Sequence, residues 1–205
     1  MNNLPKLFIG PMSKNVVDAG LDHNQQNDLK VGFIPSRRQV EHDGGYVNNW
    51  TTKSFSEYVN NRALIERDHG GPHQGLHKDD GLKSFEEDSK YLDIIHIDPW
   101  KKYLSIDQGS HATVESLQKL HKANPNLLFE IGTEESIRRF STSELEQFLL
   151  YVRSNTSESC YKKIAFCVIQ SGVGLDLANM KNTGKYSEKR LMEMIRVSQK
   201  FGLKT

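Results

Sequence analysis

Short apolar clusters punctuate the chain: LFIG from residue 7, VGFI from 31, ALIE from 63, IIHI from 94, LLFEIG from 127 and IAFCVI from 164. Each is partly β-branched and bounded by polar or turn residues, the pattern of a strand buried on both faces of a parallel sheet. Their starts lie 24 to 37 residues apart and most gaps carry a helical pattern, which predicts a βα repeat. The clearest helix places Leu145, Phe148, Leu149 and Val152 at i, i+3, i+4 and i+7, with Ser141 or Ser143 as its cap. Val114, Leu117 and Leu120 mark a thinner stripe. Leu191, Met194 and Ile195 mark a sixth helix that starts at Ser187 and ends near Gly202.

Two architectures fit this repeat, an open doubly wound sheet and a (β/α)8 barrel of the TIM type. The polar groups released at the strand ends favour the barrel. Ser36, Arg37 and Arg38 come after the second strand, Arg67, Asp68 and His69 after the third, Asp98 after the fourth, Glu134 and Glu135 after the fifth, and Gln170 after the sixth. A barrel gathers its chemistry at such βα ends, whereas an open sheet concentrates it at one switch point. The expectation is one α/β domain over residues 1–205. A TIM barrel needs about 250 residues, so it is expected as a barrel truncated to about six βα units, its first and sixth strands left as open edges. A complete open sheet with helices on both faces is the alternative.

Composition narrows the function classes. The 27 Lys and Arg nearly cancel the 26 Asp and Glu, and the net charge of +1 without a basic stripe provides no footprint for nucleic acid. The longest apolar run has six residues, far below the roughly 18 of a membrane helix. Cys160 and Cys167 match neither a zinc pair nor a disulfide framework. The first twelve residues lack the apolar core of a signal peptide, so the protein is expected in the cytoplasm.

RDHGGP, Arg67 to Pro72, is the sharpest chemical signal, because it sets a carboxylate and an imidazole on a glycine turn that a ligand can approach. A surface turn that only satisfies backbone groups is the alternative. In HIDPW, His96 and Asp98 alternate along a strand and share one face; His96, two residues deeper, is equally a core histidine. Glu130 and Glu134 each have the chemistry of a buried acid, a metal ligand or a base. Asp68, Asp98 and Glu134 are therefore the candidate catalytic carboxylates. His69 is the candidate metal ligand, and Arg38, Gln39 and Gln170 are the candidate substrate contacts. Asp68, His69, Asp98, Glu134 and Gln170 are expected to line one concave face with Arg38 and Gln39 on its rim. His73 and His77 extend a helical spacing from His69, but Gly70, Gly71 and Pro72 break any helix there. No strand run carries the buried lysine of a Schiff-base aldolase.

The stretches RRQVEHDGGY from 37, RDHGGP from 67, IHID from 95, IGTE from 131 and VIQSGVG from 168 resemble, in this order, the tagatose-bisphosphate aldolase non-catalytic subunit family. That family is related to the metal-dependent class II sugar-phosphate aldolases. The resemblance spans Val31 to about Gly174. It implies a barrel that handles phosphorylated ketoses, or helps a catalytic aldolase subunit or a second copy of itself to do so. By motif, Asp68 would assist proton transfer and His69 would bind zinc. The catalytic relatives add histidines from the ends of strands six and seven. Here the sixth strand ends in Gln170, Ser171 and Gly172, and no histidine follows His121. With one strand-end histidine, zinc is expected to bind weakly or not at all to this chain alone. The match therefore favours an accessory or sugar-phosphate-binding role in carbohydrate metabolism, with a class II lyase as the alternative. A working site of that type needs about three protein ligands.

Overall fold

A computed structural model describes residues 4–134, 138–169, 173–176 and 179–205. The elements run β1 (Phe8–Ile9), α1 (Lys14–Gln26), β2 (Gly32–Phe33), α2 (Thr52–Val59), β3 (Glu66–Gly70), α3 (Leu82–Tyr91), β4 (Ile94–Ile97), α4 (Ile106–Ala123) and β5 (Leu128–Gly132). They continue as α5 (Thr142–Asn155), α6 (Glu158–Tyr161), β6 (Ile164–Val168), β7 (Val173–Asp176), β8 (Lys181–Gly184) and α7 (Glu188–Lys200). The residues divide into two compact units, Met1–His96 with Leu120–Leu128, and Ile97–Lys119 with Phe129–Thr205.

In the first unit, β1 and β2 pair in parallel, Phe8 with Gly32 and Ile9 with Phe33. Serine and threonine begin the helices that cover them. Ser13 accepts from the amide of Val16 at the start of α1, and Thr51 forms a capping box with Ser54 at the start of α2. Val17 and Leu21 of α1 and Phe55 and Val59 of α2 pack with Phe33 and Trp50 into one apolar core. Phe33 meets Phe55 edge-on with ring centroids 6.2 Å apart. Each such buried ring contributes about 2 to 3 kcal/mol by leaving water. The Asn24 side chain closes α1 onto β2 by bonding both the amide and the carbonyl of Val31, at 2.8 and 2.9 Å.

The second unit is built around β5 and β6, paired in parallel with Ile131 opposite Cys167. Ser141 and Glu144 form the capping box of α5, which buries Leu145, Phe148, Leu149 and Val152, the stripe expected from the sequence. Trp100 lies between Phe140 and Phe148, 4.8 and 5.5 Å from their ring centroids, and donates its indole N–H to the Gly132 carbonyl at 2.7 Å. α7 starts at Ser187 as expected and packs on α5. The antiparallel hairpin β7–β8 comes after β6, an element the apolar pattern does not announce.

The described strands do not close into a barrel, so the expectation of a TIM-type barrel truncated to six units is corrected. They form two parallel sheets, β1-β2 and β3-β4-β5-β6, beside the β7-β8 hairpin. The break lies after β2, where only isolated bridges, Phe33 to Ile65 and Ser36 to Asp68, reach toward β3. Pro35 has no N–H to continue a ladder there, although its carbonyl accepts from the Asp68 amide at 3.1 Å. The sixth strand is not the bare edge expected either, since Lys204 pairs with it through Ala165 and Cys167. The third strand also starts later than the apolar cluster ALIE indicates, so that Arg67, Asp68 and His69 lie within it. Among the described residues no helix is long and apolar enough to cross a membrane.

Candidate functional site

Arg67 explains how so polar a segment becomes a strand. Its guanidinium is fully buried and forks onto Asp88 at 2.8 and 2.7 Å, while other N–H groups reach the carbonyls of Pro35 and Val40 and the Thr52 hydroxyl. Burial alone would lower its pKa, but the adjoining Asp88 charge and hydrogen bonds hold it above the ordinary value. Arg67 therefore carries structure, and the polar residues after it, Asp68 and His69, are the ones that offer ligand atoms.

Asp68 and His69 come next, at the end of β3. Successive strand residues ordinarily face opposite sides, yet His69 has φ 48°, in the left-handed region. That turn out of the strand brings both side chains to one place, His69 Nε2 lying 3.4 Å from Asp68 Oδ1, with each side chain about one third exposed. Gly70 lets the next strand come close, since a Cβ there would stand 2.7 Å from the backbone oxygen of His96. His96, buried in β4, sets its ring 5.2 Å from that of His69. Asp68, His69 and His96 each offer a ligand atom, all within 4.8 Å of one another.

Two imidazoles and a carboxylate are a donor set for zinc and similar divalent ions. Two ligand atoms at about 2.0 to 2.2 Å from one tetrahedral ion stand about 3.3 to 3.6 Å apart. The Asp68 and His69 atoms already have that spacing. Beside the strand-end His69, His96 within β4 offers a second imidazole nitrogen.

Of the other expected residues, Asp98 and Glu134 belong to the second unit, and Arg38 and Gln39 to the first. In the second unit, Asp98 is buried just past β4 and accepts from the Trp100 amide at 3.0 Å. Glu134, buried beyond β5, brings a carboxylate oxygen within 4.8 Å of one on Asp98. In the first unit, Arg38 is exposed. Gln39 is buried, its Oε1 accepting from the Ser36 amide at 2.8 Å and its Nε2 donating to Pro11 O at 3.3 Å. Its amide thus closes a loop where a substrate contact was expected. Gln170 and Glu135 lie outside the described residues.

From the sequence, His96 is equally a strand-face or a core histidine, Arg37 is one of several polar residues after the second strand, and Asp79 is not singled out. The alternation in HIDPW was the signal for the first. No signal announced the others, whose pairing spans 42 positions without periodicity.

No model of a known protein family matches the chain, and no curated protein matches it.

Proposed function

We propose that the chain holds a divalent ion of the zinc class on Asp68, His69 and His96 and acts as a metal-dependent lyase of the class II aldolase type on a phosphorylated ketose. The observation that carries this reading is the convergence of two imidazoles and a carboxylate at the ends of two strands. Three protein ligands are the number that catalytic zinc sites use, with a further position for water or substrate. The five motif stretches support the substrate class. When bound, the ion supplies polarisation of a carbonyl oxygen and stabilises the negative charge that develops on it. The chain's own part is to hold the two imidazoles side by side. Asp68, one third exposed, would hold the ion through one carboxylate oxygen beside His69. The buried free thiols Cys160 and Cys167 fit a reducing, cytoplasmic setting.

A second reading, an accessory sugar-phosphate-binding protein beside a catalytic subunit or a second copy, is supported by the sixth strand's Gln170, Ser171 and Gly172, which stand where the catalytic relatives carry a histidine. Metal analysis of the purified chain, joined to a ketose-bisphosphate cleavage assay, separates the two. The expected result is one equivalent of zinc, lost in His69→Ala and His96→Ala, together with turnover. Zinc without turnover selects the accessory reading. No zinc uptake in the wild type overturns the metal centre.

A further inference from the structure

The segment after the proposed ligands, Gly71 to Gly81, leaves β3 and returns to α3 as a closed loop. Its two ends touch: a Cβ on Gly81, where φ is 73°, would run into the Gly71 backbone. The amide of His73 donates to the Asp79 carbonyl at 3.1 Å and closes a smaller ring within it. Gly71 at φ 130° takes a conformation open to glycine, and His73 at φ 62° adds a left-handed turn that a side-chain-bearing residue rarely keeps unsupported.

One buried side chain ties this loop together. Arg37, 1% exposed, donates Nη1 to the Gly71 carbonyl at 2.7 Å and to Asp79 Oδ1 at 2.9 Å, and Nη2 to Asp79 Oδ2 at 2.5 Å. Its Nε donates to Glu41 Oε2 at 2.5 Å, and Glu41 is held in turn by the amide and ring of His42. Gly75 lies over the guanidinium, where an added Cβ would sit 3.2 Å from Nη2. A planar guanidinium with five N–H donors can make these four hydrogen bonds at once, and a lysine ammonium, with three donors, cannot. A cavity of about 140 Å³ beside this cluster is lined by Arg37, Glu41, His42 and Asp79.

We propose that Arg37, acting through Gly71 and Asp79, is a positioning residue that locks the turn after β3 and so holds His69 in the left-handed conformation that faces it toward Asp68 and His96. The inference rests on the metal reading only for its function. Gly71 is two residues from His69, so a carbonyl fixed by a buried cation transmits its position back through the two peptide units of Gly70 to the ligand. The loop is thereby a built part of the centre.

The test uses Asp79→Asn, whose side chain is 39% exposed in the wild type and whose loss leaves the fold's core intact, and Arg37→Lys. Amide hydrogen exchange without metal is measured for segment 66–81, and zinc affinity by competition with a chelator. Both variants are expected to speed exchange in 70–81 at least tenfold and weaken zinc at least tenfold, while α1 and α2 exchange as in the wild type. Faster loop exchange with unchanged zinc affinity overturns the proposal, as does unchanged exchange. Should the wild type take up no zinc, the metal reading falls separately. The clamp is then judged on the ring resonances of His69 in histidine-labelled protein, with His23 on α1 as reference. A His69 shift in Asp79→Asn supports it, and an unmoved His69 overturns it.

Discussion

At the scale of single residues, backbone approach and buried charge decide most. Gly70 has an ordinary φ, so its replacement meets no conformational penalty; the obstacle is steric, with the His96 oxygen at 2.7 Å and the Phe85 ring at 2.8 Å from an added Cβ. Gly70→Ala should cost about 1 to 3 kcal/mol as overpacking. It should also part β3 from β4 and weaken zinc binding, which thermal melts and chelator competition would register. The Arg67–Asp88 pair is buried on both sides. Removing one partner strands the other charge, so Asp88→Ala should lose about 3 to 5 kcal/mol in urea unfolding. A loss below about 1 kcal/mol would mean that Thr52 and the Pro35 and Val40 carbonyls suffice for Arg67. The candidate site was legible in part at this scale. Asp68 and His69 announced themselves through the glycines after them. His96 did not, because alternation places a histidine on a strand face without saying what stands opposite. Arg37 looked like one more polar group after a strand, and only its meeting with Asp79 gives it a role.

At the scale of elements, apolar spacing located helices well and strands unevenly. α5 shows the helix case: its four buried positions obey the i, i+3, i+4, i+7 spacing, and of two possible caps Ser141 is the one used. Its Oγ accepts from the Glu144 amide at 3.1 Å and Glu144 returns a bond to the Ser141 amide at 2.8 Å, while Ser143 only meets the Ser141 hydroxyl. Ser141→Ala should therefore cost about 1 kcal/mol and Ser143→Ala a few tenths at most, measured as paired shifts of the denaturant midpoint. Equal shifts would deny the assignment. β4, β5 and β6 coincide with their apolar clusters because, His96 apart, their buried residues are apolar or glycine. β3 does not, because Glu66 and Arg67 are buried polar residues, and Asp88, the partner of Arg67, comes from α3. A hydropathy pattern is blind to a strand stabilised by a buried ion pair. The same blindness touched the architecture: six clusters at even spacing fit a barrel, yet two-residue strands and Pro35 leave two separate parallel sheets.

At the scale of the whole molecule, positive and negative charges nearly balance, 27 against 26, so net repulsion contributes little to pH dependence near neutrality. Individual carboxylates set it instead. Asp79 titrates below its ordinary 3.8, held there by the hydrogen bonds and charge of Arg37, with partial burial opposing. Burial would raise Glu41 above its ordinary 4.5, but the His42 amide and the Arg37 and Arg67 charges bring it below. Arg37 stays charged throughout, its pKa raised by the same two partners against the pull of burial. A carboxylate with a depressed folded pKa contributes stability that is fully present above its unfolded value and is lost as pH falls through the folded one. Between those values the unfolded chain binds more protons than the folded one, so stability rises with pH. Urea unfolding should therefore show the first unit weakening below about pH 5. The chain has two tryptophans, Trp50 in the first unit and Trp100 in the second, so fluorine NMR of 5-fluorotryptophan protein tracks the first unit through Trp50. Asp79→Asn removes the charge that acid removes in the wild type. The stability difference between the two proteins should thus be largest at pH 6 to 7 and close toward zero as Asp79 protonates. A difference that stayed constant down to pH 3 would place the loss in packing, and the Arg37 clamp would then not be electrostatic.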